Sequence, residues 1–549
     1  MIKKISLKLV YMLVLSLVLT SCTGKTGSKD DGEDIILQPE TGNVIKLAID
    51  DTDTLNPILT KSTSVKDAMQ LIFEPLFSFD SSLNPVCALA ESCNQSEDGL
   101  SYTIKVRQGV LWHDGTLVTA ADVVHTINLI RYNDSEYTSS LSCISAISKT
   151  DDQTVMIRLA RPVPNFCALL TFPIVQNSRA TEAGADYKPI GTGPFKYDDK
   201  ITSDVIRLLV NENWRGSKPS VSEIHLNLMK NPNDIINAFN ASEVDAITST
   251  VMDIKTNAIR GEVNSYDYVS NKMTFVGFNV SSSVFGGNNT RKAVSYLADR
   301  QDIVTNEIFS RAEAARIPVN PSAWYSPKIS DSKYERDYIE ETLALDGWKL
   351  QENGQFTRSV VQTNENGEEI QSGVTEKLAC DIIVNDDNDE RYRIATNIAD
   401  SLNAFGIETT VTILSYEDYA QRIADKNYSM FIGEVKLSGN MDCYSLLAAS
   451  DNYFGYSSGN MNSAIYKLGT GKTLEETAAA FSEYASVFTE DMPFIPLFFR
   501  KETVYFAKNL SGTSAPNMFT AYCEPGNWYI INGIKTDTEI NMNENADKK

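Results

Sequence analysis

Histidine is scarce in this chain of 549 residues: there are three, at 113, 125 and 225. All of them precede the only G-x-S-x-G stretch, Gly455–Gly459. A hydrolase with that motif places its histidine after the serine, so the order argues against esterase chemistry. Three scattered imidazoles also make no metal site. The eight cysteines include no C-x-x-C, which removes the usual redox and zinc-knuckle motifs. Positive charge is short as well: 49 Lys and Arg against 72 Asp and Glu, a formal net charge of −23. Such a field does not draw in nucleic acid or an anionic bilayer. The loop Gly469-Thr470-Gly471-Lys472-Thr473 lacks the first glycine of a phosphate-binding loop, because Tyr466 stands there. It reads as a loop before a helix capped by Thr473. The run Asp386, Asp387, Asp389, Glu390 lacks calcium-loop spacing and suits the start of a helix. These absences predict no enzyme, no catalytic residue, no metal and no cofactor.

Long apolar runs are missing too, with one exception at the start. Lys3, Lys4 and Lys8 precede an apolar stretch from Leu9 to Leu19, too short to span a bilayer comfortably. It ends in Leu19-Thr20-Ser21-Cys22, the aliphatic-small-small-cysteine pattern of a lipoprotein cleavage site. Residues 1–22 therefore read as a lipoprotein signal, with Cys22 as the lipidated residue. Residues 23–43, rich in Gly, Ser, Asp and Lys, read as a flexible tether. The other seven cysteines are odd in number. Cys87 and Cys93 are spaced to bridge a short loop; the alternative is that most are small buried hydrophobes.

What remains is a chain of alternating strands and amphipathic helices. Tyr102, Ile104 and Val106 alternate with Thr103, Lys105 and Arg107, the period of a half-buried strand. Asp114-Gly115 marks a turn, and Thr119 with Asp122 forms a helix start. Helical stripes recur at Ala68, Leu71, Ile72 and at Ala293, Val294, Leu297. Leu378–Val384 reads as a strand, Asp389 as the cap of a helix over 391–405, Gly406 as its stop, and Ile407–Leu414 as the next strand. That unit is a right-handed crossover of an open α/β sheet. About 500 folded residues exceed one core, so two or three lobes are expected.

Ser101–Ile127, with its Trp112-His113-Asp114-Gly115 turn and Leu117-Val118-Thr119-Ala120-Ala121-Asp122-Val123, resembles a signature of the extracytoplasmic solute-binding proteins of family 5, the peptide, dipeptide and nickel class that serves ABC importers. Further elements match in order: Leu55-Asn56-Pro57, Ile72-Phe73-Glu74-Pro75-Leu76, Leu89-Ala90-Glu91-Ser92, Gly191-Thr192-Gly193-Pro194-Phe195, Asn213-Trp214-Arg215-Gly216, Glu243-Val244-Asp245, Phe278-Asn279, Arg291 with Ala293, Asp299-Arg300 and Ile495-Pro496-Leu497.

The resemblance implies a periplasmic-binding-protein-like α/β fold: two discontinuous lobes joined by two hinge strands, with an extra inserted domain. Lobe I is expected over 44–62, 188–275 and 496–540, the inserted domain over 63–187, and lobe II over 276–495. The hinge crossings are expected near Phe275–Asn279 and Phe494–Leu497. It implies a monomeric, lipid-anchored receptor on the outer face or periplasmic side of the membrane. Its partners would be a short peptide and an ABC permease with its ATPase. The alternatives are a sensor, a pheromone receptor, a chaperone, or a receptor for a sugar or metal chelate. By resemblance, ligand contacts fall at Lys61, Ser62 and Thr63, at Tyr137, and at Trp324 and Tyr325. In lobe II the segment Gly433–Asp442 lacks the Trp, Asp-Tyr and Pro of the family pattern. It offers Asn440 and, for a ligand ammonium, either Glu434 or Asp442.

Overall fold

The computed structural model describes residues 44–50, 53–179, 184, 186–200, 204–249, 259–329, 334–363 and 369–531. Cys22, the tether 23–43 and residues 532–540 lie outside the described residues. Among the described residues no helix is long and apolar enough to cross a membrane.

The chain begins with β1 (Val44–Asp50) and α1 (Thr63–Met69). A small antiparallel unit follows: β2 (Ala90–Gln95), β3 (Ser101–Val106), α2 (Ala120–Tyr132), β4 (Ile144–Lys149) and β5 (Thr154–Leu159). Then come β6 (Phe195–Tyr197), β7 (Val205–Val210), β8 (Glu223–Met229), α3 (Pro232–Asn240), β9 (Ala246–Thr248) and the long β10 (Val263–Phe278). The second half holds α4 (Asn288–Leu297), β11 (Ala379–Asn385), α5 (Asp389–Phe405), β12 (Glu408–Leu414), α6 (Tyr416–Ala424), β13 (Met430–Lys436), α7 (Gly459–Leu468), α8 (Leu474–Asp491) and the long β14 (Phe494–Ala507).

One sheet runs through both lobes in the order β12-β11-β13-β10-β14-β9-β1-β8-β7-β6, with Ala312–Ala314 added against β14. The two long strands explain this continuity. The C-terminal half of β10 pairs with β13 and with the start of β14, while the end of β14 pairs with β9 of the first lobe. The β10–β14 ladder breaks between Val269 and Met273, opposite Lys501 and Phe499. A second irregularity falls between Thr274 and Phe275, opposite Phe498 and Pro496, beside the crossings expected near Phe275–Asn279 and Phe494–Leu497. The run Phe494–Phe499 is apolar throughout because both faces of this part of β14 are covered, and burial drops at Arg500, where the ladder breaks. At the break, the buried Asn320 donates to the carbonyls of Val269 and Ser270 at 3.2 and 3.1 Å. Those carbonyls would otherwise be orphaned inside the protein.

The small sheet, ordered β2-β3-β5-β4, shares one core with the first lobe: Ile45 and Leu47 of β1 belong to the same buried cluster as Tyr102 and Ile104 of β3. Helix α2 starts as expected, with the Thr119 N–H donating to the Asp122 carboxylate at 2.8 Å. The parallel crossover β11-α5-β12 is present, and Gly406 ends α5 at φ 110°, a left-handed position that suits glycine. The cap of α5 is Asn388 and not Asp389: the Asn388 side-chain oxygen accepts from the Arg391 N–H at 3.0 Å. Thr473 caps α8 together with Glu476, as expected.

The family-like motifs turn out to be joints. Glu74, nearly buried, accepts a bidentate pair of bonds from Arg215 and another from the Thr192 hydroxyl at 2.8 Å. One ion pair thus locks three separate motifs. The Gly193 N–H and the Phe195 N–H donate to Ile72 and Leu71 carbonyls at 2.8 and 3.1 Å. A Cβ on Gly191 would fall 1.9 Å from the Ile72 oxygen, so only glycine admits this approach. His113 is part of the same joint. Its Nδ1 accepts from the Gly191 N–H at 3.2 Å and its Nε2 lies 3.1 Å from the Gly193 oxygen. Burial lowers its pKa to about 4, which keeps it neutral. In lobe II the buried Arg291 and Arg300 donate almost wholly to backbone carbonyls, including Met492 at 2.9 Å and Pro496 at 2.7 Å.

Candidate functional site

A cavity of about 440 Å³ opens where the first lobe, the small antiparallel unit, both long strands and lobe II meet. A second of about 380 Å³ adjoins it, sharing Lys66, Gln70, Tyr137, Thr171, Phe519 and Thr520. Both volumes fall within the range of small-ligand pockets.

One wall is α1. Ser62 caps this helix, its hydroxyl accepting from the Val65 N–H at 3.2 Å. Ser64, Val65, Ala68 and Met69 are buried behind it. Thr63, Lys66, Asp67 and Gln70 are spaced to share the opposite face, and all four line the cavity. Gln70 Nε2 donates to the Phe519 carbonyl at 3.0 Å, while its Oε1 is buried without a donor. The opposite wall is Lys436–Gly439, just past the C-terminal half of β13. Gly439 is forced by closeness: a Cβ there would lie 2.7 Å from the Ala168 oxygen and 2.9 Å from the Phe519 ring. The floor comes from the hinge strands, with Tyr268, Asn271, Lys272 and Glu502.

The charges pair across this space. Glu136 meets Lys66 at 2.9 Å and Lys436, from the other lobe, at 3.7 Å. Burial raises its carboxyl, but the two lysines outweigh this and hold it below the usual carboxylate value. Glu502 meets Lys272 at 2.8 Å and accepts from the Tyr268 hydroxyl at 2.7 Å. Asp67 is different. Burial, with Glu502 and Glu136 nearby, raises its carboxyl to about 7 against the pull of Lys66 and Lys436.

The residues expected from the sequence divide sharply. Thr63 and Tyr137 line the cavity. Tyr137 also packs on Phe172, and burial raises its phenol well above the ordinary value. Lys61 instead points to Asp134, donating to its backbone oxygen at 2.7 Å and pairing with its carboxylate at 2.9 Å, largely in solvent. Ser62 is occupied as the cap and by Asp50 at 3.0 Å. Tyr325 is buried and stacks on Phe481 at 4.1 Å, and Trp324 sits edge-on to Tyr325. Neither lines the cavity. Glu434 pairs with Arg500, which also holds Glu390. Asp442 pairs with Arg161 of the small unit, whose guanidinium also covers the Tyr444 ring at 4.0 Å. The buried Asn440 donates to the Pro164 carbonyl at 2.8 Å. Asn440 and Asp442 thus tie lobe II to the small unit beside the cavity.

The lining residues Lys66, Asp67, Gln70, Glu136, Lys272, Lys436, Glu502 and 517–521 were not anticipated. The helical face of α1 held the one readable signal: three polar residues spaced opposite an apolar stripe. The cysteines also differ from the short-loop pairing. Cys87 is exposed, while Cys93 Sγ stands 3.1 Å from Cys167 Sγ.

Comparison with known proteins gives a consistent likeness. Residues 84–454 match the model of "Bacterial extracellular solute-binding proteins, family 5 Middle". The oligopeptide-binding protein AppA of Bacillus subtilis is 23% identical over 529 residues, covering 91% of this chain and 94% of that protein. The structure of that AppA in complex with a nonapeptide aligns with a TM-score of 0.58 at 22% identity, covering 90% of this chain and all of the other. NikZ from Campylobacter jejuni in complex with Ni(L-His) aligns with a TM-score of 0.60 at 20% identity, covering 88% and 99%. At such identities the structural likeness establishes the two-lobed fold.

Proposed function

Since the chain belongs to the bacterial extracellular solute-binding proteins of family 5, we propose that it captures short peptides between its lobes and delivers them to the permease and ATPase of an ABC importer. Attachment would be through a lipid on Cys22, whose acyl chains exceed what stable anchoring needs. The protein performs no covalent chemistry in this reading; ligand binding favours the closed arrangement of the lobes, which the permease then recognises.

The observation that carries the reading is the composition of the cavity wall. It mixes serine, threonine and asparagine with three lysines and three carboxylates, drawn from both lobes and both hinge strands. A peptide backbone offers alternating donors and acceptors and charged ends, and such a wall can meet both. The oligopeptide-binding relative supports the choice of ligand class.

The test is mass spectrometry of small molecules that copurify with the protein. A set of short peptides supports the reading. A single sugar or a metal chelate overturns the peptide assignment while leaving solute capture intact.

A further inference from the structure

Three carboxylates line the main cavity, and two of them are neutralised by lysines of the protein itself. The third, Asp67, has no donor or cation within hydrogen-bond or ion-pair distance among the described residues. It is half-buried, on the face of α1 that forms the wall. One turn along the same face, Gln70 keeps a buried oxygen without a donor. The orientation of that amide is set, because its nitrogen is committed to the Phe519 carbonyl. The wall therefore presents two adjacent acceptors that lack donors. A primary ammonium carries three donors and no acceptor, and so is the group that satisfies both. The acids of lobe II are unavailable for this purpose, since Arg500 and Arg161 occupy Glu434 and Asp442.

The structure assigns Asp67, with Gln70 beside it, as the subsite for a primary ammonium of the ligand. This rests on the peptide reading, in which the ammonium belongs to the amino terminus or to a lysine side chain. An unpaired carboxylate in a half-buried wall destabilises the empty cleft and regains its counter-charge when the ligand arrives.

The groups facing Asp67 are Glu502, Glu136, Lys66 and Lys436, with the phenols of Tyr137, Tyr268 and Tyr522. Lys436 and Lys66 hold the Glu136 carboxyl below its ordinary value, Lys272 pairs with Glu502, and burial raises the three phenols. Asp67 is thus the group whose ionisation near neutrality controls ammonium binding. Affinity rises as pH climbs toward 7 and falls above about 8 for an amino terminus, or only above about 10 for a lysine side chain.

The probes are randomised pentapeptide libraries made without lysine, one with a free amine and one N-acetylated, and a third that is N-acetylated but carries one lysine. Bound peptides are counted by native mass spectrometry. The wild type should retain the free-amine library, the acetylated lysine library or both at least tenfold over the neutral one, and the pattern identifies the source of the ammonium. Asp67→Asn should abolish that preference and the rising pH limb, with its circular dichroism spectrum and a cooperative thermal melt as proof of folding. Persistence of the preference in Asp67→Asn overturns the assignment while the peptide reading stands. Failure of every library to bind the wild type overturns the peptide reading, and the assignment with it.

Discussion

A carboxyl raised to about 7 in the folded protein makes the stability of the empty protein depend on pH. Unfolded, Asp67 titrates near 3.8. Between those values the folded state holds the extra proton, so this group's contribution falls as pH rises from about 4 to about 7. Asp67→Asn should remove that decline. Ligand-free protein at pH 8 should gain on the order of 2 kcal/mol, read by denaturant unfolding, with no gain from this group at pH 4. Equal gains at both pH values would show that the carboxyl is not the cause. Glu74 is the opposite case, a carboxylate fully used. Glu74→Gln leaves Arg215 without its counter-charge and weakens the Thr192 bond. The side chain of Arg215 is 33% exposed, so the expected loss is about 2 kcal/mol and not the larger cost of a fully buried pair. Chemical denaturation measures it, and peptide affinity should not change.

At the scale of the element, the two long strands are the mechanical part. A ladder break inside β10 is tolerated because Asn320 takes up the freed carbonyls of Val269 and Ser270. Asn320→Ala orphans both in a buried site, at a cost of about 1–3 kcal/mol. Hydrogen exchange should then quicken around Ser270–Lys272 and Phe499–Lys501 before it quickens elsewhere in the sheet. Uniform quickening over both lobes would mean that Asn320 supports the core and not the joint. Legibility at this scale was uneven. The start of α2 and the stop of α5 followed from local rules, since a capping pair and a left-handed glycine need only near neighbours. The strand breaks left only local marks, Pro496 inside the apolar run and the change to Arg500-Lys501-Glu502 after it, and neither reveals the register of the partner strand.

Over the whole molecule, the lobes meet at a second place, far from the hinge in sequence. Arg161 pairs with Asp442, Asn440 reaches the Pro164 carbonyl, and Gln95 reaches the Gly469 carbonyl at 2.9 Å. These contacts bridge the small unit and lobe II, so they resist any separation of the two and, through it, bear on apparent affinity. Combining Arg161→Ala with Asn440→Ala should raise the radius of gyration of the ligand-free protein in solution scattering. Peptide binding should weaken several-fold, with the saturated complex returning to the wild-type radius. An unchanged ligand-free radius would show that these contacts do not hold the small unit against lobe II. Glu434, by contrast, pairs with Arg500 at the β10–β14 ladder break, and its loss should lower stability by freeing Arg500 from one of its two carboxylates.

From the sequence alone came the α/β class, the order of the family-like motifs, the start of α2 and the stop of α5, because each depends on residues close in the chain. The motif residues proved to be internal joints: Glu74 with Arg215 and Thr192, His113 with Gly191, Arg291 and Arg300 with backbone carbonyls. Such residues repeat a pattern because the fold needs them, whatever the ligand. The tertiary structure decided the cleft. Asp67 and Glu136 come together with Lys436 and Glu502 from the far end of the chain, and which carboxylate stays unpaired depends on where Lys66, Lys272, Arg161 and Arg500 reach. A charge's partner is a matter of distance in space, and one-dimensional spacing carries no measure of that distance.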